Sequence, residues 1–209
     1  MPTPSARAIF TPRRVTWKRN KLRQSITNNV LAERSVALDE VEKTIAAIVH
    51  YFGNVSLRLL NKAFAYVALK RPELAQHVVV GEHGYIIEGW RERLAKLEAA
   101  GLVHVVGGGK WPRIEKAGSF EIPSDLLPIL ERVKKIVEKY GVEGLRRLVE
   151  KKTLLSGVKY EFIGHKMTEV LEYARQVREE IKRNRERCPG CPSVEEFLRI
   201  RRRLEHVSD

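Results

Sequence analysis

Cysteine, aspartate and glutamine are scarce in this 209-residue chain, and long apolar runs are missing. Two Cys are too few for a disulfide-stapled scaffold. No apolar stretch approaches the ~18 residues of a bilayer-spanning helix, so no membrane segment is expected. Basic residues near the N-terminus have no apolar segment behind them, so no secretory signal is expected. Only three Asp occur, Asp39, Asp125 and Asp209, and no carboxylate pair stands out from the surface charge. A nuclease- or polymerase-type metal site would need more acidic loops. The six His are scattered, without an H-x-x-x-H pair. No G-x-S-x-G occurs. Gly107-Gly-Gly-Lys110 lacks the spacing of a phosphate loop, and Trp111 stands where that loop needs a hydroxyl. No catalytic activity and no cofactor are expected.

What is abundant is positive charge. Lys and Arg number 39 against 26 Asp and Glu, a net charge of +13. The excess is concentrated: residues 1–34 hold eight Lys/Arg and one acid, and so contribute +7 of the +13. The stretches 35–120, 121–182 and 183–209 contribute +2 each. Polyanions therefore lead the expected partners. The leading stretch also carries Pro2, Pro4 and Pro12 with two aromatics, Phe10 and Trp17. Proline and like charge oppose compact folding there. Residues 1–34 are read as a flexible arm in which Arg7, Arg13, Arg14, Lys18, Arg19, Lys21 and Arg23 meet phosphates and Trp17 stacks or inserts. A solvated tail that aids solubility is the alternative. Three Gln and six Asn among abundant Lys, Arg and Glu resemble thermophile composition.

Apolar spacing predicts a helix over 35–52, capped by Ser35, and a second from about Ser56 to Lys70. His77 to Val80 reads as a short strand, Gly81 and Gly84 as a turn, and 85–100 as a third helix with Gly101 as its stop. Leu102–Val106 and Arg113–Lys116 read as two strands of a hairpin. Beyond it lie helices over about 126–141 and 142–155, a short apolar segment, and a long helix over 166–187. The last has an apolar stripe at Met167, Val170, Leu171, Ala174, Val177 and Ile181. Cys188-Pro-Gly-Cys191 ends that helix, and a short helix closes the chain. Two Cys are half of a zinc site at best. The pair is read as a local disulfide or two thiols in a turn.

The run Arg93-Leu-Ala-Lys-Leu-Glu-Ala-Ala-Gly-Leu-Val103, a hairpin, and then Ile114-Glu-Lys-Ala-Gly-Ser-Phe-Glu-Ile-Pro123 resembles the winged-helix DNA-binding superfamily, especially small archaeal regulators. The resemblance covers 35–118. It implies that the third helix enters the major groove and that the hairpin wing touches the backbone or minor groove. On helix 85–100 this designates Tyr85, Arg91, Arg93 and Lys96. On the wing it designates Lys110, Trp111 and Arg113. Glu88 and Glu92 on the same helix face are unusual for a groove reader.

The expected fold is mainly α with a small β-hairpin wing, an α+β class. It comprises a basic arm (1–34), a winged-helix domain (35–120), a helical region that is a candidate for homodimerisation (121–187), and a CPGC turn with a terminal helix (188–209). The expected function is a non-catalytic, DNA-binding transcriptional regulator in the cytoplasm, associated with the nucleoid. An RNA-associated ribonucleoprotein component and a protein-interaction scaffold are the alternatives.

Overall fold

The computed structural model describes residues 37–107 and 112–187. The chain divides into two units, Met1–Ala37 and Leu38–Asp209, and the first lies outside the described residues except for Ala37. The second is mostly helical, with two small antiparallel sheets of three and two strands, an α+β architecture.

Helix α1 spans Glu40–Phe52. Its cap lies four residues after the expected Ser35, at Asp39, because Asp39-Glu-Val-Glu42 is a capping box. Glu42 N–H donates to Asp39 Oδ1 at 2.7 Å, and Asp39 N–H donates to Glu42 Oε2 at 2.9 Å. Strand β1, Asn54–Ser56, leads straight into α2, Leu57–Ala68. The Ser56 side chain caps α2 by accepting from Leu59 N–H. Helix α2 is buried on nearly every side, from Leu60 to Ala68, and is the hub of the fold. Pro72–Ala75 forms a single turn, α3.

The segment after α3 departs from expectation. Instead of a helix from Tyr85, a second strand forms. Strands β2 (Val78–Gly81) and β3 (Gly84–Ile87) make a hairpin in which Val80 pairs with Tyr85. Val78, Val80, Tyr85 and Ile87 point into the core, a period of two that overrides the helical spacing. The turn needs Gly84, whose φ is +92°. Helix α4 therefore starts only at Trp90 and runs to Ala99. Tyr85, expected on an exposed groove-reading face, is instead 1 % exposed. Its hydroxyl lies beside the Thr153 hydroxyl, which already donates to the Val149 carbonyl. Burial pushes the Tyr85 phenol well above its ordinary pKa, and a nucleic acid cannot reach it.

Strands β4 (Val103–Val106) and β5 (Arg113–Lys116) form the expected hairpin. β1 adds to its β5 edge, giving the order β1-β5-β4. Val55, Val103 and Ile114 face the core. Asn54, Ser56, His104, Val106, Arg113 and Glu115 share the other face by register.

Helix α5, Leu127–Lys152, breaks at Gly141 (φ 68°, ψ 179°), the position expected to separate two helices. It packs chiefly on α2. Two 3-10 turns, Leu155–Gly157 and Lys159–Phe162, lead to α6, Met167–Arg187. Gly164 N–H donates to the Val80 carbonyl, and Val80 N–H donates to the His165 carbonyl, so the outer edge of β2 is covered. One hydrophobic core runs from Val41 on α1 to Val170 on α6, so segments 35–120 and 121–187 share it. The stripe on α6 is engaged at Met167, Val170 and Ala174, all fully buried, while Val177 and Ile181 are half-buried. No helix among the described residues is long and apolar enough to cross a membrane.

Candidate functional site

Apart from the buried Tyr85, the expected site residues fall into three groups. Arg7, Arg13, Arg14, Trp17, Lys18, Arg19, Lys21 and Arg23 of the arm, Lys110 and Trp111 of the wing tip, and Cys188 and Cys191 lie outside the described residues. Arg91 and Arg113 are exposed. Arg93 and Lys96 are turned toward the N-terminus of α1, Arg93 largely covered and Lys96 still partly exposed.

The direction of this pair is set by the phase of α4. Leu94 and Leu97 enter the core, which carries Arg93 and Lys96 round to the N-terminus of α1. Arg93 Nη1 donates to Asp39 Oδ2 at 2.7 Å, and Lys96 Nζ donates to Glu42 Oε2 at 2.8 Å. The Arg93 side chain is only 19 % exposed. Burial pushes the Asp39 carboxyl up. The Glu42 N–H and the nearby Arg93 and Lys96 charges outweigh this and hold it below the usual range. These two cations were expected to reach phosphate or bases, but they serve as counter-ions of the α1 capping box. That leaves Arg91, Glu92, Ala95, Glu98 and Ala99 as the exposed part of α4. Arg91 lies over the ring of its neighbour Trp90, 5.0 Å from the centroid. Glu98 accepts from Val105 N–H at 2.9 Å and bonds His104 Nδ1 at 3.0 Å, tying the helix to β4.

A different group of cations converges at the other end of β1. Ser56, the last residue of β1, pairs across the ladder with Arg113 of the wing. Direct partners in an antiparallel ladder project to the same side. From Ser56 the surface continues into a cleft of about 600 Å³ lined by Ser56, Arg58, His83, Glu143, Arg146 and Lys159. These residues come from β1, α2, the β2–β3 turn, α5 and the second 3-10 turn. Arg58 Nη2 donates to Glu143 Oε2 at 2.9 Å, and Arg146 Nε donates to Glu143 Oε1 at 2.7 Å. Arg146 Nη1 also bonds both oxygens of Glu150 at 2.8 Å. Lys159 Nζ donates to the Glu82 carbonyl. The lining thus holds three cations against one carboxylate.

Under the cleft lies Lys62, 4 % exposed, which donates to the carbonyls of His83 at 2.7 Å and Tyr85 at 3.1 Å. Burial draws its pKa down to about 8. Glu150 opposes that shift, and the positive charges of Arg146, Lys159 and Arg58 add to it. Gly84 lets the turn sit close over this group. A Cβ there would be 3.0 Å from Glu150 Oε1 and 3.1 Å from Lys62 Nζ.

The sequence pattern did not single out Arg58, Lys62, Arg146 or Lys159. Arg58 and Lys159 lie 101 positions apart; Arg58 and Lys62 sit in a mostly apolar helix, and Arg146 and Lys159 in segments where Lys and Arg alternate with Glu, as on any solvated face. The capping signal at Asn54–Ser56, which places Arg58 in the first turn of α2, was the one local cue. Among the described residues no three His, Cys, Asp or Glu side chains are grouped to hold a metal ion. Scans of the chain against protein-family models, curated proteins and solved structures returned no match.

Proposed function

We propose that the protein is a winged-helix nucleic-acid-binding protein, a DNA-binding regulator that grips duplex mainly through backbone phosphates. The observation that carries this reading is the three-stranded sheet β1-β5-β4 behind α1, α2 and α4, with Arg113 exposed where the hairpin leaves the sheet. That element order is the arrangement the winged-helix resemblance implies, with the β2–β3 hairpin inserted before α4. The net charge of +13 and the cationic stretch 1–34 supply the polyanion attraction.

The grip is on phosphate more than on base edges. The exposed part of α4 offers one cation, Arg91, and no Asn or Gln for bidentate base contact. The same poverty favours a second reading, an RNA-associated component in which the arm's Phe10 and Trp17 stack on unpaired bases.

Fluorescence anisotropy with labelled duplex DNA, and with single-stranded RNA of matching length, tests both readings at several salt concentrations. Under the first, duplex binds, and log K falls steeply with log salt. Deleting residues 1–34 then lowers affinity but keeps any preference among duplexes. Under the second, RNA binds in preference, and the deletion nearly abolishes it. Absence of any salt-dependent binding ends the nucleic-acid reading.

A further inference from the structure

We infer that the cleft between α2, the β2–β3 turn and α5 is a seat for a single phosphate group, held by Arg58, Arg146 and Lys159 with the Ser56 hydroxyl. The inference stands apart from the nucleic-acid reading, because a free phosphate or a small phosphate ester has the chemistry the seat recognises.

The argument rests on how each cation is held. Arg146 is fixed: both oxygens of Glu150, itself 5 % exposed, clamp one end of its guanidinium. A guanidinium oriented in this way is pre-organised for a planar pair of acceptors on its other edge. That edge now meets Glu143, which bridges Arg146 and Arg58. Glu143 occupies the place an incoming anion would take. It is a replaceable occupant, because its side chain is 38 % exposed and that of Arg58 is 58 % exposed. When Glu143 swings out to solvent it gives up its bonds to Arg58 and Arg146, and an incoming phosphate, with more charge and more acceptor oxygens, replaces both. Lys159 enters from the opposite wall and is held by a neutral carbonyl, so its charge is not neutralised by that bond. The buried Lys62 ammonium adds a further positive charge to the floor.

The cleft volume of about 600 Å³ admits a phosphate together with a small attached group. A carboxylate ligand would gain less. A phosphate brings a charge near −2 and three acceptor oxygens, which match three cations approaching from different elements. Ser56 Oγ accepts from Leu59 N–H at 3.2 Å, which leaves its own hydroxyl proton to donate.

The test is isothermal titration of the full chain with inorganic phosphate, then with pyrophosphate, at ionic strength held constant with chloride. The wild type is expected to bind one equivalent saturably. Arg58→Ala combined with Lys159→Ala weakens binding by roughly ten-fold or more. Glu143→Gln, which removes the competing carboxylate, tightens it by roughly three-fold or more. The opposed signs keep misfolding from imitating the result. Equal affinity in all three proteins, or no saturable binding below ~10 mM phosphate, overturns the inference. A second arm identifies the source. If the seat serves a nucleic-acid backbone, pyrophosphate competes with duplex, and the double variant lowers the salt slope by about one phosphate contact. If it serves a small phosphorylated ligand, phosphate binds and duplex affinity is unchanged in the double variant. Phosphate binding without any duplex or RNA binding would sink the nucleic-acid reading and leave the seat standing.

Discussion

Two regions of this molecule collect cations and use them in opposite ways. At the N-terminus of α1, Arg93 and Lys96 meet Asp39 and Glu42 one to one, so the charges cancel. In the cleft by α2, Arg58 and Arg146 share Glu143, Arg146 is also held by Glu150, Lys159 meets only a carbonyl, and the buried Lys62 adds a fourth cation against these two carboxylates. The titrations differ accordingly. At the first site a carboxyl is held low by its basic neighbours. At the second, burial lowers a lysine to about 8 and nearby Arg and Lys push it the same way. A balanced cluster is a structural fastening. An unbalanced one in a concave wall is a place where an anion from outside lowers the energy.

The comparison is broken most forcefully by removing Glu150. This carboxylate is the buried counter-ion of the unbalanced cluster. Glu150→Ala leaves Arg146 and Lys62 facing each other without it and is expected to cost about 3 kcal/mol of stability, read by urea denaturation. Glu42→Ala, at the balanced cluster, should cost nearer 1 kcal/mol, because Lys96 can turn to water. Equal losses would mean that the two clusters do not differ as described.

Titrating Lys62 sharpens the comparison next. Its folded pKa lies near 8, below the 10.5 of a solvated lysine. The unfolded chain therefore binds more protons than the folded one between those values, and stability rises with pH through that window. The gain over pH 8–10 is expected to be about 2 kcal/mol, taken as the difference between wild type and Lys62→Met so that other lysines and tyrosines cancel. A flat difference would place the lysine in contact with solvent. At the opposite pole the sign reverses: Asp39 stabilises above its unfolded pKa, and that contribution fades as acid protonates it.

Much of the fold was legible because periodicity reports burial. The α1 and α2 faces, the β4–β5 hairpin, the break at Gly141 and the extent of α6 all follow from spacing and glycine. The β2–β3 hairpin was not. Ile87, Trp90, Leu94 and Leu97 satisfy a helical spacing as well as Val78, Val80, Tyr85 and Ile87 satisfy a strand, and pairing between strands decides which wins. The same error placed Tyr85 on an exposed face and gave α4 a wrong phase at its start. The cleft was illegible for another reason. Its cations come from three separate segments, and a sequence pattern shows which face a lysine or arginine takes but not what comes to lie opposite it. Arg93 and Lys96 show the converse: each looks solvated by spacing, and each finds a carboxylate 54 residues away in the chain.

Losing the α1 cap has a smaller effect than either change at the cleft. Asp39→Ala removes the acceptor for Glu42 N–H and the partner of Arg93, and is expected to cost about 1 kcal/mol. Asp39→Asn restores capping without the charge. It should recover most of that loss in urea denaturation, because the cap hydrogen bond is worth more than a half-exposed ion pair.

The smallest expected effect separates the two regions in function. Arg93→Ala with Lys96→Ala removes two positive charges from the helix that a winged-helix reading would place in the groove. If both side chains are held by Asp39 and Glu42 when nucleic acid binds, removing them together also uncovers two carboxylates, so a modest loss through long-range repulsion is unavoidable. That loss is screened beyond about 8 Å at physiological salt. Anisotropy at that salt should therefore show less than a ~3-fold loss of duplex affinity and no change in salt slope. Arg58→Ala with Lys159→Ala carries the same change in charge and supplies the reference. A loss well above ~3-fold from the α4 pair together with a shallower salt slope would mean that Arg93 and Lys96 leave the α1 cap to meet phosphate, and that α4 is a gripping surface.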